Sequence, residues 1–90
     1  MKQFFVEVFT ARLKAGNLAT AERRATSAAK RLSSPDREVQ FVRATYIPED
    51  EICFFVFDAP SVHDAALAAR RAGLEPIRVV EAVSSTKEEQ

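Results

Sequence analysis

The chain has almost none of the residues that mark specialised chemistry. Its 90 residues include one cysteine, one histidine, one tyrosine, two glycines and no tryptophan. A lone cysteine cannot close an internal disulfide, so a reducing compartment, the cytoplasm, is the expected setting. Gly16 and Gly73 stand far apart, and no glycine-rich phosphate loop can be built from them. No Cys-x-x-Cys pair occurs, which excludes the cluster-carrying form of small α+β domains in its usual guise. With one histidine and no nucleophile motif, a serine or cysteine hydrolase lacks its machinery. Thirteen Lys plus Arg balance thirteen Asp plus Glu, and a zero net charge lacks the basic excess of a nucleic-acid binder. No apolar run approaches the ~20 residues of a membrane span, and no secretory hydrophobic region follows Met1.

What is present is ordinary globular material: 47% hydrophobic residues, seven of them Phe. This length holds one domain and buries only about 60–65% of its unfolded surface, so the core plus any subunit interface must supply the stability. Gln3–Thr10 (QFFVEVFT) reads as a strand, with Phe4, Val6 and Val8 on one face and Phe5, Glu7 and Phe9 on the other. A connector over Ala11–Gly16 leads to Asn17, an expected N-cap, and to a helix. Leu18, Ala21, Ala25, Ala28 or Ala29, and Leu32 form its thin apolar stripe, with Arg23, Arg24, Lys30 and Arg31 mostly off it. Pro35 falls in a loop. Val39–Ile47 is a second strand, Pro48–Glu51 a turn, and Glu51–Asp58 a third strand whose near-continuous apolar run suits a central position. Ser61 and Asp64 resemble a capping box opening a second helix. Its expected stripe is Val62, Ala65, Ala66, Ala69 and Ala72, with Gly73 at the left-handed C-terminal cap. Ile77–Val83 is the fourth strand. The order βαββαβ predicts a ferredoxin-like α+β domain over residues 1–83, a four-stranded antiparallel sheet with both helices on one face, and a flexible tail over 84–90.

Two helices cover one face of such a sheet, yet both parities of the first and third strands are apolar. The uncovered face would exceed the apolar patch that monomers tolerate. A second copy of the same chain, packed sheet against sheet, is the expected cover, with Phe5 and Phe55 as its contact residues. Glu7 and Glu81 interrupt apolar strands and are expected on one sheet face, with Arg43 or Arg78 as a partner. The alternatives for that carboxylate pair are a rim ion-pair network, oxygen ligands for a divalent ion, or an acid–base pair. Cys53 reads as a buried inert thiol, Tyr46 as an anchor at the sheet edge, and His63 as a solvated side chain. RNA recognition on the central strands is set aside, because Glu7, Glu51 and Asp58 flank the aromatics.

The run 46–83, YIPEDEICFFVFDAPSVHDAALAARRAGLEPIRVVEAV, resembles a family of small, mostly bacterial proteins of unknown function. The Pro-Glu-Asp-Glu turn, Cys53-Phe54, the Asp-Ala-Pro-Ser helix start, the Arg-Ala-Gly-Leu helix end and the Val-Val-Glu-Ala-Val strand carry the resemblance. Glu7 fits the family's usual Val-Glu. The likeness is weakest over 11–38. It implies a ferredoxin-like domain that dimerises, related to an actinobacterial nickel-binding protein. Many relatives place a His where this chain has Ala68, and some have one near Arg43, so the ligand set departs from the family's pattern. The expectation is therefore a homodimer binding a divalent metal of nickel type, or a small ligand, at the sheet interface. Glu7, Arg43, Tyr46, Cys53 and Glu81 are its expected lining. A cofactor-independent enzyme of the dimeric α/β-barrel type, using Glu7 and Tyr46 for proton transfer, and a ligand-free interaction domain are the alternatives. Neither nucleic acid nor membrane is an expected partner.

Overall fold

The computed structural model describes residues 2–10 and 17–84; most of the expected connector and tail lie outside these. Strand β1 spans Lys2–Phe9, helix α1 Leu18–Leu32, β2 Gln40–Ile47, β3 Ile52–Ala59, α2 Val62–Arg71 and β4 Arg78–Ala82. A short 3-10 turn, Pro48–Asp50, joins β2 to β3 and ends on Glu51 in the left-handed region at φ 53°. The strands pair antiparallel in the order β2-β3-β1-β4, so β1 and β3 are central. This is the ferredoxin-like arrangement, and element ends fall within one or two residues of the sequence reading.

The core lies between one sheet face and the two helices. Phe4, Val6 and Val8 of β1 meet Cys53, Phe55 and Phe57 of β3 there. Phe41 of β2 packs edge-on to Phe57, with ring centroids 5.5 Å apart. Alanines face this aromatic layer: Ala21, Ala25, Ala28 and Ala29 from α1, Ala65, Ala68 and Ala69 from α2. A methyl group in place of a long side chain lets each helix axis come close to the sheet, and the large strand residues fill the space. The α1 stripe is as expected. In α2, Ala68 replaces Val62 on the buried side, and Val62 is exposed in the first turn between exposed Pro60 and His63.

The helix ends show which local signals act. Asn17 sits at the start of α1 but with φ −97° and ψ −8°, and its side chain makes no cap bond. An N-cap normally takes an extended conformation to reach the free amides, and this helical one does not. Ser61 is extended and does cap: its Oγ accepts from Asp64 N–H at 3.2 Å and donates to Asp64 Oδ2 at 2.9 Å. The short Asp64 side chain bonds the Ser61 hydroxyl rather than its backbone. Its other oxygen, Oδ1, accepts from Arg37 Nη1 at 3.2 Å, while Arg37 Nε donates to Leu32 O at 3.1 Å. Arg37 thereby ties the end of α1 to the start of α2. At the other end of α2, Gly73 at φ +85° bonds Arg70 O and Leu74 N–H bonds Ala69 O, the paired bonds of a Schellman cap.

Along β2 the register shifts between Phe41 and Arg43, leaving Val42 as an extra, exposed residue in a bulge.

A Cβ at position 73 would meet only Arg24 Nη1, at 3.7 Å, so Gly73→Ala carries backbone strain without a clash. It is expected to lower stability by about 1 kcal/mol, read as a lower urea midpoint with an unchanged slope. Asp64→Ala leaves the Ser61 cap but removes the carboxylate that accepts from Ser61 Oγ and the part-buried ion pair with Arg37, and is expected to cost about 2 kcal/mol by the same measurement.

Candidate functional site

The alternation that sends Phe4, Val6 and Val8 to the helices sends Gln3, Phe5, Glu7 and Phe9 to the other side of the sheet. Register then fixes their neighbours. Phe5 stands between Val56 of β3 and Val80 of β4; Glu7 stands between Phe54 and Arg78; Phe9 pairs with Ile52. On the far side of β3, Arg43 faces Val56, Thr45 faces Phe54 and Ile47 faces Ile52. The centre of this uncovered face closes on itself. The Phe5 and Phe54 rings tilt against each other at 5.7 Å. Val56, with no helix above it, is 0% exposed. Phe9 and Val80 remain exposed at the margins.

The contact residue expected at position 55 is corrected by this register. Phe55 pairs with Val6 and is wholly buried under the helices, whereas Phe54 occupies the open face. The signal was present in β3: Asp58 has the parity of Phe54, and a carboxylate marks the side away from the core.

Glu7 and Glu81 do not share a face. Glu81 pairs with Phe4, on the helix side of the sheet, and stands exposed at edge strand β4. Glu7 Oε1 instead accepts from Arg78 Nε at 2.8 Å, with the Glu7 side chain only 19% exposed. Of the two expected partners, Arg78 takes the role because it is directly opposite on β4. Arg43 lies two strands from Glu7, across β3, exposed beside Val56. Tyr46 pairs with Cys53 and has the helix-side parity, opposite to Glu7. The five expected lining residues therefore divide: Glu7 and Arg43 on the open face, Tyr46, Cys53 and Glu81 on the other.

Chemistry follows from that division. Glu7 and Tyr46 cannot act on one substrate from opposite sides of a sheet, so the proton-transfer arrangement does not form within the chain. The carboxylates do not converge either, and among the described residues no three His, Cys, Asp or Glu side chains gather to hold a metal ion. A divalent ion needs several oxygen or nitrogen donors within about 2–2.6 Å. Glu7, already bonded to Arg78, does not meet that need alone. The described residues of one chain thus do not fit the implied metal.

The open surface also carries clefts elsewhere. One of about 390 Å³ lies where α1 meets β2, lined by Thr26, Lys30, Ser33, Glu38 and Gln40 among others. Two more, of about 420 and 230 Å³, lie along the α1–α2 groove and share Arg24. None of the three is lined by the expected site residues. No helix among the described residues is long and apolar enough to cross a membrane.

No family model matches the chain, and no curated protein matches it. Among solved structures, the crystal structure of SCO4226 from Streptomyces coelicolor A3(2) is similar, with a TM-score of 0.73 and 19% identity. The match covers 92% of this chain and 98% of that one, so the two share one fold over nearly their whole lengths.

Cys53 is 0% exposed, and burial pushes its thiol from 9.0 up to about 11. The charge of Glu22 adds to the push, and a backbone hydrogen bond from Thr45 opposes it. The folded chain keeps this proton where the unfolded chain releases it. The resulting stability is complete below pH 9 and is lost as pH rises through about 11. The urea midpoint of the wild type is expected to fall more steeply over that interval than that of Cys53→Ala. Thiol reagents at pH 8 are expected to label Cys53 only after unfolding.

Proposed function

We propose that the chain works as a homodimer whose open sheet faces pack together, with the polar groups of that contact, Glu7–Arg78 toward the β4 edge and Arg43 on the opposite edge strand, receiving a small ligand. The observation that carries the reading is the face itself: Phe5, Phe54, Val56, Ile52, Phe9 and Val80 in one sheet surface that no helix covers. A second copy fits it on three grounds. The face carries Glu7 and Asp58 against Arg43 and Arg78, a balanced set that suits the self-complementarity of a two-fold contact. Phe5, Phe54 and Val56 form an apolar patch flanked by Arg43, Asp58 and Arg78, and Glu7 within it is paired to Arg78, which suits a protein interface. Its size suffices. Strands about 4.8 Å apart, with the longer ones of eight residues at about 3.3 Å each, give a face of roughly 20 by 26 Å. Two such faces bury about 1,000 Å², the lower bound of a specific interface.

A ligand in this contact would meet aromatic rings and a Glu–Arg pair, which suits a small polar organic molecule. An ion of the nickel type would need donors from both copies, such as Glu7 from each. The family resemblance supports the dimer; the cytoplasm is the proposed location.

Phe5→Asp and Phe54→Asp are each expected to sediment as monomers with native circular dichroism, because a buried charge in each copy opposes the contact. Phe55→Asp is expected to unfold the chain instead. Unchanged sedimentation of the first two variants would remove the open face as the contact. Native mass spectrometry of the metal-stripped protein with added nickel, zinc, cobalt or copper separates the ligand classes. Uptake that Glu7→Gln abolishes would place an ion in the interface, and a bare dimer directs the search to organic ligands.

A further inference from the structure

The outer surface of the helix layer carries a charge pattern that the sheet-face reading does not use. Arg24, Ser27, Ala28 and Arg31 of α1 and Arg71 of α2 line one cleft of about 420 Å³. Three arginines thus line one cleft in a chain whose net charge is zero, and among the described residues no carboxylate lines it with them. Three and four residues from Arg24 and Arg31 on α1 stand only Thr20, Ala21, Ser27 and Ala28, none of them an ion-pair partner. Glu22, the single acidic residue of α1, does not line the cleft.

Helix dipoles account for part of this. Arg31 and Arg71 lie in the last turns of their helices, and the Arg24 guanidinium reaches the α2 end beside Gly73. Two helix C-termini supply about −0.5 charge each against three full positive charges. The two C-termini lie at opposite ends of the groove, so each dipole offsets only the arginine nearest it and a net positive charge remains along the cleft. Arginine forks pair with phosphate oxygens in two-point contacts, and a cluster of them is suited to an anion of two or more charges. Arg24 and Arg31 are seven residues apart, about 10 Å along the helix, a span that suits two linked phosphates better than one. Ala28 is the one apolar residue among the described residues that line it.

We propose that the α1–α2 groove is a binding site for a small di- or polyphosphate, held by Arg24, Arg31 and Arg71. The site is on the opposite side of the sheet from the proposed dimer contact and is independent of it.

The test is a titration of the full chain with sodium pyrophosphate at fixed ionic strength, followed by amide NMR shifts. Saturable shifts centred on residues 24, 27, 31 and 71 are expected. The triple variant Arg24→Gln, Arg31→Gln, Arg71→Gln is expected to weaken binding at least about tenfold. A control triple, Arg23→Gln, Lys30→Gln, Arg70→Gln, removes the same charge from the same helices and is expected to change affinity by less than about threefold. Circular dichroism of both triples is expected to match the wild type, and single Arg→Lys variants, which keep the charge and lose the fork, are expected to bind with intermediate affinity. Shifts that do not saturate, or equal weakening by both triples, would overturn the site in favour of a diffuse positive field. Binding to duplex DNA or anionic vesicles with none to pyrophosphate would overturn it as well.

Discussion

Everything in this molecule is organised around two central strands that are apolar on both sides while helices exist for only one. The inner parity of β1 and β3, Phe4, Val6, Val8, Cys53, Phe55 and Phe57, is sealed beneath α1 and α2. No described helix covers the outer parity, where Phe5 leans on Phe54 and Val56 is buried. That partial closure lowers the exposed apolar area without removing the aromatic character of the face. The polar groups that belong to it are held in place too, since Glu7 is committed to Arg78 across the β1–β4 pair.

The helix layer solves a different problem. Alanine stripes on both helices bring them close to an aromatic sheet, so the inner core is made largely of strand side chains. Alanine buries little area of its own, and so the orientation of the helices depends on their ends. The Ser61–Asp64–Arg37–Leu32 chain of hydrogen bonds fixes one end, and the Gly73 cap fixes the other. Because side chains on the sheet-facing side are small, the long arginines are left to the outer side and to the groove between the helices, where their charges accumulate.

The fold was legible because its signals are local: alternating apolar residues in β1, the alanine spacing in α1, Pro48 at the turn, Gly73 at a helix end. Parity within β3 was harder, since residues 52 to 57 are all apolar and only Asp58 distinguishes the sides. The placement of Glu81 depended on the β1–β4 register, in which Phe4 is its partner; no local pattern in β4 specifies that pairing. Asn17 has the right residue type for a cap and the wrong backbone, which composition does not reveal. The Arg37–Asp64 bond joins residues 27 positions apart, and only the packing of α1 beside α2 brings them together. The groove arginines were visible as off-stripe residues of α1, but Arg71 joins them through tertiary structure alone.

The bulge at Val42 sets a limit on how copies of this chain can join. A straight, unbroken β2 would offer a free row of backbone donors and acceptors to the next molecule, and such additions have no natural end. Displacing one residue breaks that row and twists the edge. The opposite edge, β4, has only five residues and carries Arg78 and Glu81. With both borders spoiled for lateral growth, the proposed two-fold contact through the broad faces would use up its own surface. The same irregularity that interrupts one ladder thus favours a finite assembly over a fibre.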